Sequence, residues 1–187
     1  NETDENIVVC SSDTMIVYQI VHYREGVSKE SENEKMAYKL RLVAEYPLSG
    51  EVLCITPIPL NAVFPTTDSS KRDALIMSFK GNYMSIVSYD NYDSGIQTIE
   101  RYDLNREAVI GKGELVEFGD NGYVLNQGLI RVDPSYQCFS ILLNRFTFII
   151  VPLTAKGLGD PFPLYKTTLG MDGEVKDYCF LANCIIP

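Results

Sequence analysis

The chain has 187 residues, 45% hydrophobic and 22% charged, with nine prolines and thirteen glycines. That composition excludes a disordered tail, a collagen and a coiled coil, and it suffices for one domain with a real core. The net charge of −9 makes the chain as a whole a poor binder of phosphates, since unspecific nucleic-acid binding rests on Lys and Arg, and it argues against docking on anionic membranes.

Short strands dominate the pattern. Residues 7–11 and 14–23 are rich in Val, Ile and Tyr and are separated by Ser12-Asp13, which predicts a hairpin. Residues 24–35 are polar and predict a loop. Residues 38–46 alternate, with Leu40, Leu42 and Ala44 on one face and Lys39, Arg41 and Glu45 mostly on the other. A period of two with one wet face predicts a half-buried antiparallel strand. Residues 51–56 are the next strand, and 57–70, with three prolines and a Thr/Asp/Ser cluster, predict a loop.

The clearest hairpin is 73–79 with 83–89, turned at Gly81-Asn82. Residues 90–95 have turn chemistry, and 96–102 pair back. Residues 103–127 are less regular and hold four glycines. Strands follow at 129–132, 136–143 and 145–153. Residues 154–160 predict a loop, 162–167 a weak strand, 171–173 a turn and 175–181 a last strand. No stretch of a dozen residues holds a 3.6 period. The fold class is therefore all-β. Strands in groups of about four joined by tight turns predict a partial β-propeller of about three blades of antiparallel meander strands. A jelly roll or a sandwich also fits the pattern. There is no Trp and no strict WD dipeptide.

Nothing is long and apolar enough to span a bilayer; the best stretch, 138–153, carries Asn144 and Arg145 in its middle. The acidic start is not a signal peptide, and both ends read as lying inside a longer protein. Five cysteines, at 10, 54, 138, 179 and 184, form no CxxC. They predict reduced thiols, as in cytosol or nucleus.

Catalytic chemistry is poorly supplied. His22 is the one histidine, expected at a strand end facing solvent; local spacing suggests no Cys or Ser partner, and no metal is expected. Asp90 and Asp93 lie in a turn, but a calcium loop would then place Tyr92 third and Arg101 last, so that pattern fails. Gly111-Lys112-Gly113 lacks the third glycine of a dinucleotide turn and the Ser or Thr of a phosphate loop. Tyr83, Tyr89, Tyr92 and Tyr102 gather around one hairpin, flanked by Asp90, Asp93, Glu100 and Asp103. Base stacking wants a basic rim, so sheet packing or a protein anchor is the better account. The basic spots are Lys71-Arg72 and Arg101 with Arg106.

The run Lys71-Arg72-Asp73-Ala74-Leu75-Ile76-Met77-Ser78-Phe79-Lys80, followed by Met84-Ser85-Ile86-Val87-Ser88-Tyr89-Asp90, resembles the amino-terminal propeller of the large subunit of cleavage and polyadenylation specificity factor. Ile130-Arg131-Val132-Asp133-Pro134 with 146–153 resembles its next segment. Residues 7–18 resemble its opening blade, and 50–55 the strand before the signature. The resemblance covers most of the chain and is weak at 27–35, 106–128 and 154–171. The same superfamily holds the large damaged-DNA-binding protein subunit and a splicing-factor subunit.

The resemblance implies that residues 1–187 are a fragment of the amino-terminal propeller of a multi-propeller protein. It implies a nuclear, non-catalytic scaffold for mRNA 3′-end processing. Its partners would be a WD-repeat subunit, a zinc-finger subunit and an endonuclease module, with pre-mRNA reached through them and no membrane. The family's contacts are spread over surfaces, so no catalytic, cofactor-binding or metal residue is assigned and no cofactor is expected. The alternatives are a propeller adaptor of a cullin-type ubiquitin ligase or a splicing-factor scaffold of the same superfamily. A hydrolase using Asp90 and Glu100 and direct RNA binding are the rivals from other classes.

Overall fold

The computed structural model describes residues 6–24, 36–64, 72–90, 95–104, 128–144, 147–165 and 177–181. The chain divides into two compact units, one ending at Glu51 and one starting at Val52. The all-β expectation holds. Three antiparallel sheets follow one another along the chain, each built from sequential strands, as in a partial propeller.

The first unit is one sheet of β1 (Asn6–Ser11), β2 (Thr14–Arg24) and β3 (Met36–Pro47), in that order. Ser12 and Asp13 turn β1 into β2, and the Asp13 carbonyl accepts a bond from Leu48 N at 2.6 Å. Register sets Ile7 opposite Tyr18, Tyr18 opposite Leu42, and Ile20 opposite Leu40. A bulge at Val17/Tyr18 leaves Val43 as the extra residue of β3. A one-residue slip moves every later side chain to the other face. Ala44, expected to share a face with Leu40 and Leu42, therefore pairs with Val17 on the Lys39–Arg41 side, and Glu45 joins the leucines.

The second unit starts with a four-stranded sheet: β4 (Val52–Pro59), β5 (Asp73–Phe79), β6 (Tyr83–Asp90) and β7 (Gly95–Asp103), in chain order. The predicted loop at 57–70 begins too early. Pro57 and Pro59 belong to β4, opposite Leu75 and Asp73. An edge strand tolerates proline because the missing N–H would face away from the ladder. A single helical turn, α1 (Leu60–Val63), follows. The β5–β6 turn is where the sequence puts it, with Gly81 and Asn82 in left-handed backbone at φ 97° and 61°.

The third sheet is β8 (Leu129–Val132), β9 (Cys138–Asn144) and β10 (Thr147–Thr154). The far edge of β10 is shared by β11 (Gly157–Leu158) and β12 (Phe162–Tyr165). Three expectations are corrected here. The strand predicted from Tyr136 starts at Cys138, because residues 133–136 close a turn: Tyr136 N donates to the Asp133 carbonyl at 2.8 Å and Tyr136 takes φ 55°. The predicted loop at 154–160 contains β11. The described part of the expected last strand, residues 177–181, is not a strand. Arg24, placed in the predicted loop at 24–35, ends β2, and Asp90 and Gly95, placed in the predicted turn at 90–95, belong to β6 and β7. The rest of both, the glycine-bearing part of 103–127 and the 171–173 turn lie outside the described residues.

The core of the second unit joins its two sheets. Ile58, Ile76 and Ile86 from one meet Ile130, Phe139 and Ile149 from the other, with Val63 of α1 among them. Each such side chain contributes about 1.5–3 kcal/mol on burial. Polar bonds hold the seam between β4 or β5 and β8. Thr56 Oγ1 donates to the Ile130 carbonyl at 3.4 Å, and Ser78 Oγ donates to the Gly128 carbonyl.

Candidate functional site

Among the described residues, those that would carry chemistry stay apart. His22 is exposed and meets Tyr38 edge-on across β2 and β3, ring centroids 4.8 Å apart. No group of three or more His, Cys, Asp or Glu that could hold a metal ion occurs among the described residues. Asp90 pairs with Gly95, and Glu100 pairs with Ile86. Four residues of strand thus separate them, about 13 Å of backbone at the usual rise, so β6 and β7 do not bring this pair together. Asp93 and Gly111-Lys112-Gly113 lie outside the described residues.

Cys10, Cys54, Cys138 and Cys179 are free thiols; Cys184 lies outside the described residues. Burial pushes the Cys10 thiol up. Burial, and then the charge of Asp133, do the same for Cys138. A raised thiol is protonated at neutral pH and a poor nucleophile.

The tyrosine cluster splits by role. Tyr83 stacks on Phe79, its cross-strand partner, at 4.8 Å and 8°, and the Arg101 guanidinium sits 4.6 Å over the Tyr83 ring. That is sheet packing capped by a cation. Tyr102 is half-buried, and its hydroxyl is pushed up to about 12 by burial, then by the charges of Glu100 and Asp160. Tyr89 is 48% exposed. Tyr92, Lys71 and Arg106 lie outside the described residues.

Two surfaces stand out instead. The first is the face of the first sheet that carries Ile7, Val9, Tyr38, Leu40 and Leu42. Alternation assigns Leu40 and Leu42 to the buried side of β3, yet they are 55% and 58% exposed and Tyr38 63%. Strand period sorts apolar from polar, but only a covering layer makes the apolar face a core. Exposed apolar patches of this kind mark interaction surfaces. The second is an open groove of about 280 Å³ where α1 meets β6 and β7, lined in part by Leu60, Phe64, Arg72, Tyr89 and Ile99.

A third feature, not foreseen from the sequence, ties residues 177–181 to the third sheet. Tyr178 Oη accepts a bond from Ser140 Oγ at 2.8 Å and lies 2.7 Å from the Ser140 carbonyl and 3.3 Å from that of Leu129. Its ring meets Phe148 edge-on at 5.0 Å. Arg131 pairs with Asp177 at 3.0 Å. Burial pushes the Tyr178 hydroxyl up to about 12, against the lowering effects of the Ser140 bond and the Arg131 charge. Its partners lie 38 and 49 residues away, so no local signal marks it.

No protein-family model matches the chain. The chain is 26% identical over 182 residues to a Drosophila melanogaster protein named cleavage and polyadenylation specificity factor subunit 1, covering 91% of this chain and 12% of that protein. It is 26% identical over 160 residues to protein cft1 of Aspergillus fumigatus, covering 82% and 11%. It is 22% identical over 173 residues to cleavage and polyadenylation specificity factor subunit 1 of Arabidopsis thaliana, covering 82% and 11%. The chain thus spans about a tenth of the length of the curated relatives it matches. This similarity supports the family that the run from Lys71 to Asp90 resembles.

Proposed function

We propose that this chain is part of the amino-terminal β-propeller of a larger multi-propeller protein. Its function is that of a non-catalytic scaffold module of the nuclear mRNA 3′-end cleavage and polyadenylation complex. The observation that carries this reading is similarity along nine-tenths of the chain to proteins named as subunit 1 of that factor. Three meander sheets in sequence support it, because a propeller repeats such sheets radially. So does the exposed apolar face of the first sheet, since a scaffold works through surfaces it can cover with other chains. On this reading the WD-repeat subunit, the zinc-finger subunit and the endonuclease module are the partners, and pre-mRNA is reached through them. The net charge of −9 fits a module that leaves phosphates to others.

Affinity purification of the protein from its own cells, followed by mass spectrometry of what accompanies it, tests the reading. The expected result is a WD-repeat subunit, a zinc-finger subunit and a metallo-β-lactamase-type nuclease. A cullin, or a set of splicing-factor subunits, in their place would move the protein to another branch of the superfamily and overturn the assignment.

A further inference from the structure

We propose that the groove at α1 is a docking site for a peptide segment carrying an apolar side chain next to a carboxylate. This goes beyond the scaffold reading and does not depend on which complex the protein joins.

The floor of the groove is the margin of the core. Leu60, Phe64 and Ile99 are partly buried and pack against the core cluster of the second unit. An apolar side chain laid on them would extend that core and leave water. Ile99 stands there because β7 bulges: Ile86 pairs with Glu100 and Val87 with Thr98, which leaves Ile99 as the extra residue. Bulges re-aim side chains in this way. Ser88 and Gln97, paired across β6 and β7, add polar groups to the lining.

Arg72 supplies the charge. Its backbone carbonyl accepts the Leu60 N–H at 2.8 Å, which fixes the start of its side chain against α1. The residue is exposed. Among the described residues the lining holds this one cation and no carboxylate, in a chain of net charge −9. One guanidinium presents a fork that matches one carboxylate. A nucleic-acid strand would want several cations along its backbone, so the geometry favours a peptide. Tyr89, half exposed at the wall, belongs with Arg to the residue types that dominate binding energy at interfaces.

The test titrates acetyl-Leu-Asp-amide and, separately, acetyl-Leu-Asn-amide into isotope-labelled protein and follows the backbone amides by NMR. The expected result is saturable shifts at Ser88, Gln97 and Ile99 with the aspartyl probe. Affinity should fall roughly fivefold with the asparaginyl probe and by a similar factor in Arg72→Gln, as suits a partly solvated ion pair. Lys156→Gln, which removes an exposed cation elsewhere, should change nothing. Arg72→Gln keeps the backbone bond to Leu60, and the asparaginyl probe tests the charge on the unaltered protein. Absence of saturable shifts at the groove, shifts confined to the face of the first sheet, or equal affinity for the two probes would overturn the proposal.

Discussion

Replacing Gly128 by alanine tests the seam between the two sheets of the second unit. Gly128 sits at φ +53° just before β8. An alanine there takes a left-handed backbone at a cost of about 1–2 kcal/mol. Its Cβ would lie 2.7 Å from Ser78 Oγ and 3.0 Å from Leu53 Cβ and Cδ1. Ser78 is buried and donates to the carbonyl of Gly128 itself. Moving its hydroxyl aside leaves buried polar atoms unpaired, about 1–3 kcal/mol more. The sum is about 2–5 kcal/mol.

Gly81→Ala is the control. Gly81 also has positive φ, but its nearest neighbour is the Tyr83 ring at 3.7 Å, an ordinary contact. It should show the backbone cost alone. Urea titrations followed at the methyl groups of Ile130 and Ile141 report this unit without the first sheet. Gly128→Ala should lose at least about 1 kcal/mol more than Gly81→Ala. Equal losses would refute the claim that the β5–β8 seam is sterically closed at this point.

Three further outcomes follow from the same geometry. Tyr178→Phe should cost about 1–3 kcal/mol, because it strips the hydroxyl to which the fully buried Ser140 donates; urea midpoints and proteolysis near residue 178 measure it. Both Tyr102 and Tyr178 titrate near 12 folded against an ordinary 10. Folding holds their protons, so their stabilising contribution is full below pH 10 and lost as pH rises from 10 to about 12; alkaline urea titrations of the native protein and of Tyr178→Phe should differ in that window. Leu40→Thr with Leu42→Thr should leave stability within about 0.5 kcal/mol, since both side chains are more than half exposed, and should lower the binding of a hydrophobic dye.

Local chemistry carried much of the fold. The hairpin at 73–89 was legible because alternating apolar residues flank Gly81-Asn82, which accept the left-handed turn. Pro57 misled the boundary of β4, because a proline reads as a breaker unless the strand is known to lie at an edge. The bulge at Val43 moved Ala44 to the opposite face, and nothing in the alternation of 38–46 announced it. Of the candidate site, Arg72 and Tyr89 were visible as residue types near a hairpin. Their meeting with Leu60 and Phe64 was not, since α1 was hidden in a predicted loop.

By itself, then, the sequence determined most of the strand content and the order of the hairpins. Those depend on side-chain period, turn chemistry and composition, all of which act over a few residues. Tertiary structure alone decided which apolar face was covered and which stood open, which strand was an edge, and which distant groups met. Tyr178 finds Ser140 and Leu129, and Ser78 finds Gly128, only after whole sheets have packed. Such contacts join residues tens of positions apart, and no local pattern encodes their partner.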